Sequence, residues 1–274
     1  GPAMIAADSV SIEMGGRKSP PIFEARDLSV RFATPGRKGA EDTVLALDGI
    51  DWTVENGEFV VFVGPSGCGK TTMLKLISGI VAPTSGQILH WGRPVSGTPE
   101  GIGMAFQDSL LLPWRNVLDN VLLPIEILRR PRKDYLGRAE ELLATVGLKG
   151  FEKRDIWELS GGMRQRVSLC RALIANPEIL LLDEPFAALD AFTREDLWLV
   201  LQELHARSGC TMVLITHQLG EAVFLSDRVM VVSKRPGRII HVEAIKAQRP
   251  RSPDDLVDPD FLAQVASLRR KIER

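Results

Sequence analysis

The 274-residue sequence lacks several features that would assign it to a class at once. It has no run of the roughly 18–20 apolar residues that a membrane-spanning helix needs, and no signal-peptide pattern. Its three cysteines, Cys68, Cys170 and Cys210, form no CxxC pair and no metal-binding spacing with histidine. We therefore predict a reducing environment, the cytoplasm, and expect any link to a membrane to run through a partner.

An excess of basic residues is also missing. The formal net charge is −1, whereas proteins that bind nucleic acid usually carry a positive excess. We therefore expect no nucleic-acid partner. The length suits one large α/β domain or a core with a helical insertion.

Short apolar runs alternate with helical patterns along most of the chain. Four of these runs are typical of strands buried on both faces: 58–63, 178–182, 211–215 and 228–232. The alternation predicts a mostly parallel sheet covered by helices on both faces. Ahead of it, residues 22–32 and 44–54 alternate in the manner of an antiparallel strand pair.

The predicted domain organisation has three parts. Residues 1–20 are expected to be a tag remnant and a disordered N terminus, because Gly1-Pro2-Ala3-Met4 resembles a protease scar and the rest is polar and aperiodic. Residues 21–240 are predicted to form the sheet domain, with a helical subdomain at about 108–165. Residues 241–274 are expected to be a tail with a short amphipathic helix, because apolar residues recur at helical spacing between Phe261 and Ile272.

Residues 64–71 form a phosphate-binding motif. The pattern GxxxxGK[ST] is matched by Gly64-Pro65-Ser66-Gly67-Cys68-Gly69-Lys70-Thr71, between a predicted strand and a predicted helix. Glycines let successive backbone N–H groups point at phosphate oxygens, and a helix N terminus adds its positive dipole. We expect Lys70 to contact the β- and γ-phosphates and Thr71 to bind Mg²⁺.

Two carboxylates follow the apolar run at 178–182. Open α/β sheets bind ligands at the carboxyl ends of their strands, so we expect Asp183 near the metal. Glu184 is expected to polarise a water molecule for in-line attack on the γ-phosphorus. The alternative is a strand-end turn with solvated acids, since Asp-Glu-Pro is also good turn chemistry.

A Ser-Gly-Gly turn, Leu159-Ser160-Gly161-Gly162-Met163, lies between these two motifs. Alone it would indicate only a capped helix. In this order and spacing, however, the three motifs make residues 22–240 resemble the nucleotide-binding subunits of ABC transporters. The resemblance implies a P-loop NTPase (RecA-like) core with an N-terminal antiparallel β subdomain and an inserted α-helical subdomain. It also implies ATP and Mg²⁺ as ligands, and hydrolysis of ATP to ADP and phosphate.

The resemblance implies roles for individual residues. The implied catalytic residues are Glu184, His217 and Gln107, and the implied metal ligands are Thr71, Gln107 and Asp183. Contacts to bound ATP are implied for Phe32, Gly64, Pro65, Ser66, Gly67, Cys68, Gly69, Lys70, Thr71 and Thr72. Contacts to the ATP of an opposing copy are implied for Ser160, Gly161, Gly162 and Asp190. Phe32, at a position where the family usually has Tyr, either stacks on adenine or is a buried core side chain.

The implied partners are a second copy of the chain, integral membrane permease subunits and, indirectly, a periplasmic substrate-binding protein. The implied location is the cytoplasmic face of the inner membrane, as a peripheral subunit. Residues 109–117 are expected to grip a permease, or to be partly buried in the helical subdomain. This segment resembles the nitrate/sulfonate/taurine importer group, which implies a small anion or sulfonate as cargo: nitrate, taurine or an alkanesulfonate.

Four alternatives stay open at this point. A soluble ABC-type ATPase acting on nucleic acid usually carries two cassettes or a long coiled-coil insertion, and neither occurs in this sequence. A P-loop kinase would leave residues 159–163 unexplained. A nucleotide-gated scaffold would not release phosphate in a manner that depends on Lys70. An importer of another substrate class would share every motif described above.

Overall fold

The computed structural model describes residues 19–34, 43–67 and 69–272. Residues 1–18 of the predicted tag remnant and disordered start (1–20) lie outside the described residues, as does the predicted ATP contact Cys68. No helix among the described residues is long and apolar enough to cross a membrane.

The described residues contain ten strands: β1 (Phe23–Ala33), β2 (Thr43–Val54), β3 (Phe59–Val63), β4 (Ser85–His90), β5 (Arg93–Pro94), β6 (Ile102–Phe106), β7 (Ile179–Asp183), β8 (Thr211–Thr216), β9 (Arg228–Val232) and β10 (Ile239–Ala244). Four of them form an antiparallel sheet in the order β2-β1-β4-β5. The other six form a sheet in the order β10-β9-β3-β8-β7-β6, in which only β10 runs antiparallel to its neighbour.

Eight α-helices occur in the same residues: α1 (Lys70–Ile77), α2 (Val117–Val121), α3 (Leu123–Ile127), α4 (Leu136–Thr145), α5 (Gly161–Leu173), α6 (Ala191–Ser208), α7 (Leu219–Leu225) and α8 (Pro259–Ile272). Helices α2 to α4 follow β6 along the chain, in the stretch predicted to be a helical subdomain. Asn116 caps α2, because its side chain accepts a hydrogen bond from the N–H of Asp119 at 2.8 Å.

The six-stranded sheet separates two hydrophobic cores. In β3, Phe59, Val61 and Val63 belong to one core and Val60 and Phe62 to the other, because successive side chains of a strand point to opposite faces. The first core also includes side chains of α2, α4, α5, α6, α7 and α8, and the second includes α1 and the antiparallel sheet. Strands β3, β7 and β8 are continuous apolar runs because both of their faces are covered. The predicted α/β fold, with its parallel sheet and separate antiparallel layer, is confirmed.

The C-terminal helix α8 packs on the first core. Phe261 and Leu268 are buried, and Val265 and Ile272 are partly buried against it. Leu262 is 51% exposed, so the apolar stripe is narrower than the sequence pattern predicts. Strand β10 lies across residue 240, where the domain boundary was predicted. The division of the chain at that point stays a prediction.

Candidate functional site

The carboxyl ends of four adjacent parallel strands bring the predicted site residues to one edge of the sheet. The strands lie in the order β3-β8-β7-β6. The phosphate loop follows β3, His217 follows β8, Glu184 follows the end of β7 and Gln107 follows β6. Residues far apart in the sequence therefore meet at the edge where open α/β sheets bind their ligands.

The conformation of the phosphate loop requires glycine. Gly67 and Gly69 have φ angles of +76° and +98°, in the left-handed region that side chains disfavour. A Cβ added to Gly69 would lie 2.7 Å from Cδ2 of the buried Leu47, so a side chain there would force Leu47 to move. The ammonium of Lys70, a residue only 6% exposed, donates to the carbonyl of Gly64 at 2.7 Å and so bridges the loop.

The loop geometry fits a phosphate chain. Helix α1 begins at Lys70, and no side chain caps its first N–H groups. Uncapped N–H groups at a helix N terminus favour anions, through hydrogen bonding and the helix dipole. The space around Gly67 is open, since an added Cβ would meet nothing within 4 Å. Ser66 and Thr71 are exposed, and Pro65 and Thr72 are half-buried, around the same loop.

Glu184 and His217 are in direct contact. Oε1 of Glu184 lies 2.9 Å from Nδ1 of His217. The backbone of Glu184 has a φ of +43°, which is uncommon for a residue with a side chain, and its N–H donates to the carbonyl of Ile215 at 2.9 Å. The amide nitrogen of Gln218 lies 3.2 Å from Nε2 of His217. With the amide in this orientation Nε2 accepts, and Nδ1–H donates to the Glu184 carboxylate.

Asp183 ends β7 in a half-buried position. Burial raises the pKa of its carboxyl group, and the neighbouring Glu184 raises it further. Lys70 and Lys75 act in the opposite direction, because nearby positive charges favour the carboxylate. A cation at this position would therefore relieve an unfavourable burial of negative charge.

Gln165 joins the helix of the Ser-Gly-Gly turn to the loop after β6. Its amide nitrogen donates to the carbonyl oxygen of Gln107 at 2.5 Å and to that of Phe106 at 3.2 Å. Gln165 is 4% exposed, whereas the side chain of Gln107 is exposed. We did not predict Gln165 as a site residue.

The Ser-Gly-Gly turn is packed tightly against the start of α6. Oγ of Ser160 accepts from the N–H of Met163 at 3.2 Å and so caps α5. A Cβ added to Gly162 would lie 2.5 Å from Cγ2 of Thr193. Asp190 caps α6, accepting from the N–H of Thr193 at 3.0 Å and from its hydroxyl at 2.7 Å. These two hydrogen bonds lower the pKa of the Asp190 carboxyl group, the backbone one most.

The predicted residues thus form two clusters. The phosphate loop, Asp183, Glu184 and His217 form the first cluster. Ser160, Gly161, Gly162 and Asp190 form the second cluster, at the packed starts of α5 and α6. Beside it is a cavity of about 510 Å³ lined by Gln107, Asp108, Ser109, Gly161, Arg164, Gln165, Ala188 and Leu189. Across the described ranges, no hydrogen bond joins Ser160, Gly161 or Asp190 to the phosphate loop.

Phe32 belongs to neither core. It lies on β1, paired with Val44 of β2, and is 38% exposed. Phe32 is therefore not the buried core side chain that was the alternative to stacking on adenine. The described residues contain no group of three or more His, Cys, Asp or Glu side chains that could hold a metal.

Comparison with known families identifies the arrangement. The family model described as ABC transporter matches residues 47–187, a range that includes the phosphate loop, the Ser-Gly-Gly turn and the acidic pair. The chain belongs to the ABC transporter family. It is an ATP-binding subunit and an ATPase, as predicted.

Related sequences sharpen this assignment. The taurine import ATP-binding protein of Escherichia coli K12 is 48% identical over 195 residues, which cover 71% of this chain and 76% of the relative. The protein of the same name from Shigella flexneri is also 48% identical over 195 residues. The predicted resemblance to the nitrate/sulfonate/taurine importer group is confirmed.

Solved structures have the same fold. The cbiO1 protein of Clostridium perfringens, part of an ABC transporter complex, superposes with a TM-score of 0.74 at 25% identity, over 92% of this ATPase and 97% of that chain. A dimeric ATP-binding cassette bound to ADP and Pi superposes with a TM-score of 0.67 at 30% identity, over 82% of this ATPase and all of that chain. The predicted homodimer is consistent with that dimeric neighbour.

Proposed function

We propose that this ATPase drives the import of a small anion or sulfonate through a bacterial ABC importer. The observation that carries the hydrolytic part is the 2.9 Å contact between Glu184 and His217 beside the phosphate loop. The carboxylate of Glu184 accepts the proton of the attacking water. His217 holds that carboxylate through Nδ1 and contacts the γ-phosphate.

Binding of ATP uses the phosphate loop and Phe32. The N–H groups at the start of α1 and the ammonium of Lys70 bind the phosphates, which requires Lys70 to leave the carbonyl of Gly64. Phe32 stacks on the adenine, an arrangement supported by its exposed ring outside both cores.

Mg²⁺ fits the donors at the strand ends. Thr71, Gln107 and Asp183 offer hydroxyl, amide and carboxylate oxygens, the hard ligands that this ion prefers. Mg²⁺ sites at nucleotides use one or two carboxylates together with phosphate oxygens and water, so a cluster of three acids is not needed. The raised pKa of Asp183 fits a position made to hold a cation. When bound, the ion neutralises negative charge on the β- and γ-phosphates.

The second cluster acts on the ATP of another copy. Ser160, Gly161 and Gly162 form the N terminus of α5, and Asp190 caps the adjacent α6. Within the described residues, Ser160, Gly161 and Asp190 make no hydrogen bond to the phosphate loop of their own chain. In a head-to-tail homodimer, each such surface meets the phosphate loop of its partner, which gives a two-fold interface held by two nucleotides.

The permease binds next to Gln107. In the predicted segment, Leu110 and Trp114 are 56% and 75% exposed. A neighbouring apolar groove of about 620 Å³ runs along β6 and is lined in part by Ile80, Ile127 and Leu128. The groove suits an apolar cytoplasmic helix of a permease subunit, since it borders β6, the strand that Gln107 directly follows. The subunit then lies peripherally on the cytoplasmic face of the inner membrane, and a periplasmic binding protein acts indirectly.

The taurine-import relatives support a sulfonate as cargo, with nitrate and alkanesulfonates as the related anions. Two other functions stay as alternatives: an importer of another substrate class, and an ABC-type ATPase without transport.

Reconstitution tests the proposal. Vesicles carrying this ATPase, its permease and the periplasmic binding protein should accumulate taurine, nitrate or an alkanesulfonate only when ATP is present, and Lys70→Ala should abolish uptake. Uptake of none of these anions, together with binding of another compound class by the periplasmic protein, would rule out the cargo. ATPase activity that never depends on a permease would favour the uncoupled alternative.

The permease surface has its own test. Ile127→Asp should lose co-purification with the permease, whereas Leu262→Asp, on the exposed side of α8, should keep it. Equal capture of both variants would place the docking surface elsewhere.

A further inference from the structure

Helix α7 determines where His217 lies. The helix starts at Leu219, two residues after His217, and its seven residues are too few to be stable alone in water. Its N-cap, Gln218, makes no side-chain capping hydrogen bond. The position of α7, and with it the turn that carries His217, therefore depends on contacts with the rest of the chain.

Two arginines from the segment after β10 bind the carbonyl end of α7. Nη2 of Arg249 donates to the carbonyl oxygen of Leu225 at 2.5 Å. Nη1 of Arg251 donates to three carbonyl oxygens, those of Val223 (3.0 Å), Phe224 (2.9 Å) and Ser226 (2.7 Å). The last carbonyls of a helix lack intrahelical partners and carry the negative end of its dipole, so both guanidinium groups stabilise this end.

Arg251 is itself held rigidly. Its backbone N–H and carbonyl both pair with the side chain of Gln202 on α6, each at 2.9 Å. Nε and Nη2 donate to the carbonyl of Ala247 at 3.0 and 2.7 Å. Arg251 is 3% exposed, and burial lowers its pKa to about 10, so it stays charged at neutral pH. An apolar side chain of similar volume often stabilises a fold as much as a buried cation does. The burial of Arg251 is therefore weak evidence that the residue adds stability.

Helix α8 extends from the same segment to the phosphate loop. Phe261 and Leu268 of α8 share a core with α7. Near its C terminus, α8 contributes to a cavity of about 210 Å³ lined by Gly64, Pro65, His217, Leu219, Arg269 and Ile272. The tail thus contacts the carbonyl end of α7 through its two arginines. Through the C-terminal end of α8, it also reaches the functional site.

We propose that Arg251 is a positioning residue for hydrolysis, which fixes α7 and through it the imidazole of His217 against Glu184. The inference rests on the proposed role of His217. The phosphate loop is carried by β3 and α1, and within the described residues the hydrogen bonds of Arg251 go instead to α6, to α7 and its C-cap, and to Ala247. We therefore expect ATP binding not to depend on this residue. Loss of Arg251 therefore weakens turnover rather than binding.

Arg251→Met in the full-length chain tests this proposal, because it keeps most of the side-chain volume and removes the charged donors. The kcat, counted per nucleotide-binding site, should fall about tenfold, with KM for ATP changed less than about twofold. Amide hydrogen exchange should accelerate in residues 217–226. Arg251→Lys, which keeps the charge, should recover part of the kcat. Arg270→Met, an exposed position on α8, should change neither quantity.

His217→Ala in the same assay separates two kinds of failure. If His217→Ala keeps its kcat, the proposed role of His217 is wrong. If it loses kcat while Arg251→Met keeps both kcat and the exchange pattern, the positioning role of Arg251 is overturned. Arg251→Met could also bind fewer nucleotides per chain, or show faster amide exchange throughout the chain. Either result would show that Arg251 is merely structural and would overturn the positioning role. Adding Arg251→Met to the His217→Ala variant should not lower kcat by the same factor again. A further fall in kcat of that full size would contradict an action through His217.

Discussion

The two clusters of the site are built in different ways. The phosphate-loop cluster is assembled from the ends of three parallel strands, and its key contact joins Glu184 to His217 at 2.9 Å. The Ser-Gly-Gly cluster is assembled by close helix packing, in which Gly162 lets α5 approach Thr193 of α6. The first cluster holds groups that can do chemistry on ATP. The second presents a capped helix N terminus. Under the proposed function, this surface meets the ATP of another copy.

The largest expected effect separates chemistry from binding in the first cluster. Glu184→Gln should lower ATP hydrolysis by about 10²–10⁴-fold, because the amide cannot accept the proton of water, while ATP binding is retained. Phosphate release and light scattering should then report an inactive, ATP-bound dimer. Glu178→Gln, before the opposite end of β7, is the matched control and should hydrolyse ATP normally. Normal turnover in Glu184→Gln would exclude this residue as the base.

Alanine at one glycine of each cluster should give opposite phenotypes. Gly69→Ala should lose ATP binding, because its Cβ meets Leu47 at 2.7 Å and its φ is +98°, and should destabilise the fold by about 1–3 kcal/mol. Gly162→Ala should keep ATP binding in a calorimetric titration yet lose turnover, since it displaces the helix start against Thr193.

Gly97→Ala is the control for backbone strain alone, with a φ of +70° and no atom within 4 Å of the added Cβ. It should leave both ATP binding and turnover intact. Loss of ATP binding in Gly162→Ala as well would contradict the division into two clusters.

Phe32→Ala should have a smaller effect, confined to binding. Loss of aromatic stacking on adenine should raise KM for ATP about 2–10-fold, as expected for ~0.5–1.5 kcal/mol, with kcat unchanged. Val44→Ala, on the strand opposite, serves as the control. An unchanged KM in steady-state kinetics would remove Phe32 from the nucleotide site.

The smallest expected effect concerns pH and stability. Burial raises the pKa of Glu221, in the first turn of α7, to about 7. Its protonated form therefore stabilises the fold below the unfolded pKa, and this contribution is lost as pH rises through about 7. The Tm of Glu221→Gln, measured relative to that of the wild type, should therefore rise as the pH is raised from 5 to 8.

Asp190 gives the contrasting case in the second cluster. Because the pKa of Asp190 is lowered, its contribution to folding stability is constant between pH 5 and 8. This contribution is lost only as the pH falls below the ordinary carboxyl pKa. The Tm difference for Asp190→Asn should therefore be flat between pH 5 and 8. A flat difference for Glu221→Gln as well would show that Glu221 is not held protonated.

The phosphate-loop cluster was accessible to prediction because its signals are local. A glycine-rich loop between an apolar run and a helical pattern predicts β3 and α1. Three other continuous apolar runs predict β7, β8 and β9. Strands β4, β5, β6 and β10 escaped prediction. Strand β6 contains Gly103, which is required because a Cβ there would lie 2.4 Å from the carbonyl oxygen of Ala172 on α5, and a glycine weakens the apolar signal of a short strand.

Contacts to backbone carbonyls escaped prediction for a general reason. Gln165 donates to the carbonyls of Phe106 and Gln107, and Arg251 donates to the end of α7. Every residue has a carbonyl, so the partner in such a contact leaves no mark in the sequence. Only the assembled fold reveals which polar side chains act in this way.

The measurement that tests the composite site most directly is the molar mass of Ser160→Arg in the Glu184→Gln background, with ATP present. We predict that this double variant binds ATP as tightly as Glu184→Gln does and yet has the mass of a single chain, because the added guanidinium blocks the surface that meets the partner's ATP. A dimer of the mass formed by Glu184→Gln alone would contradict the account.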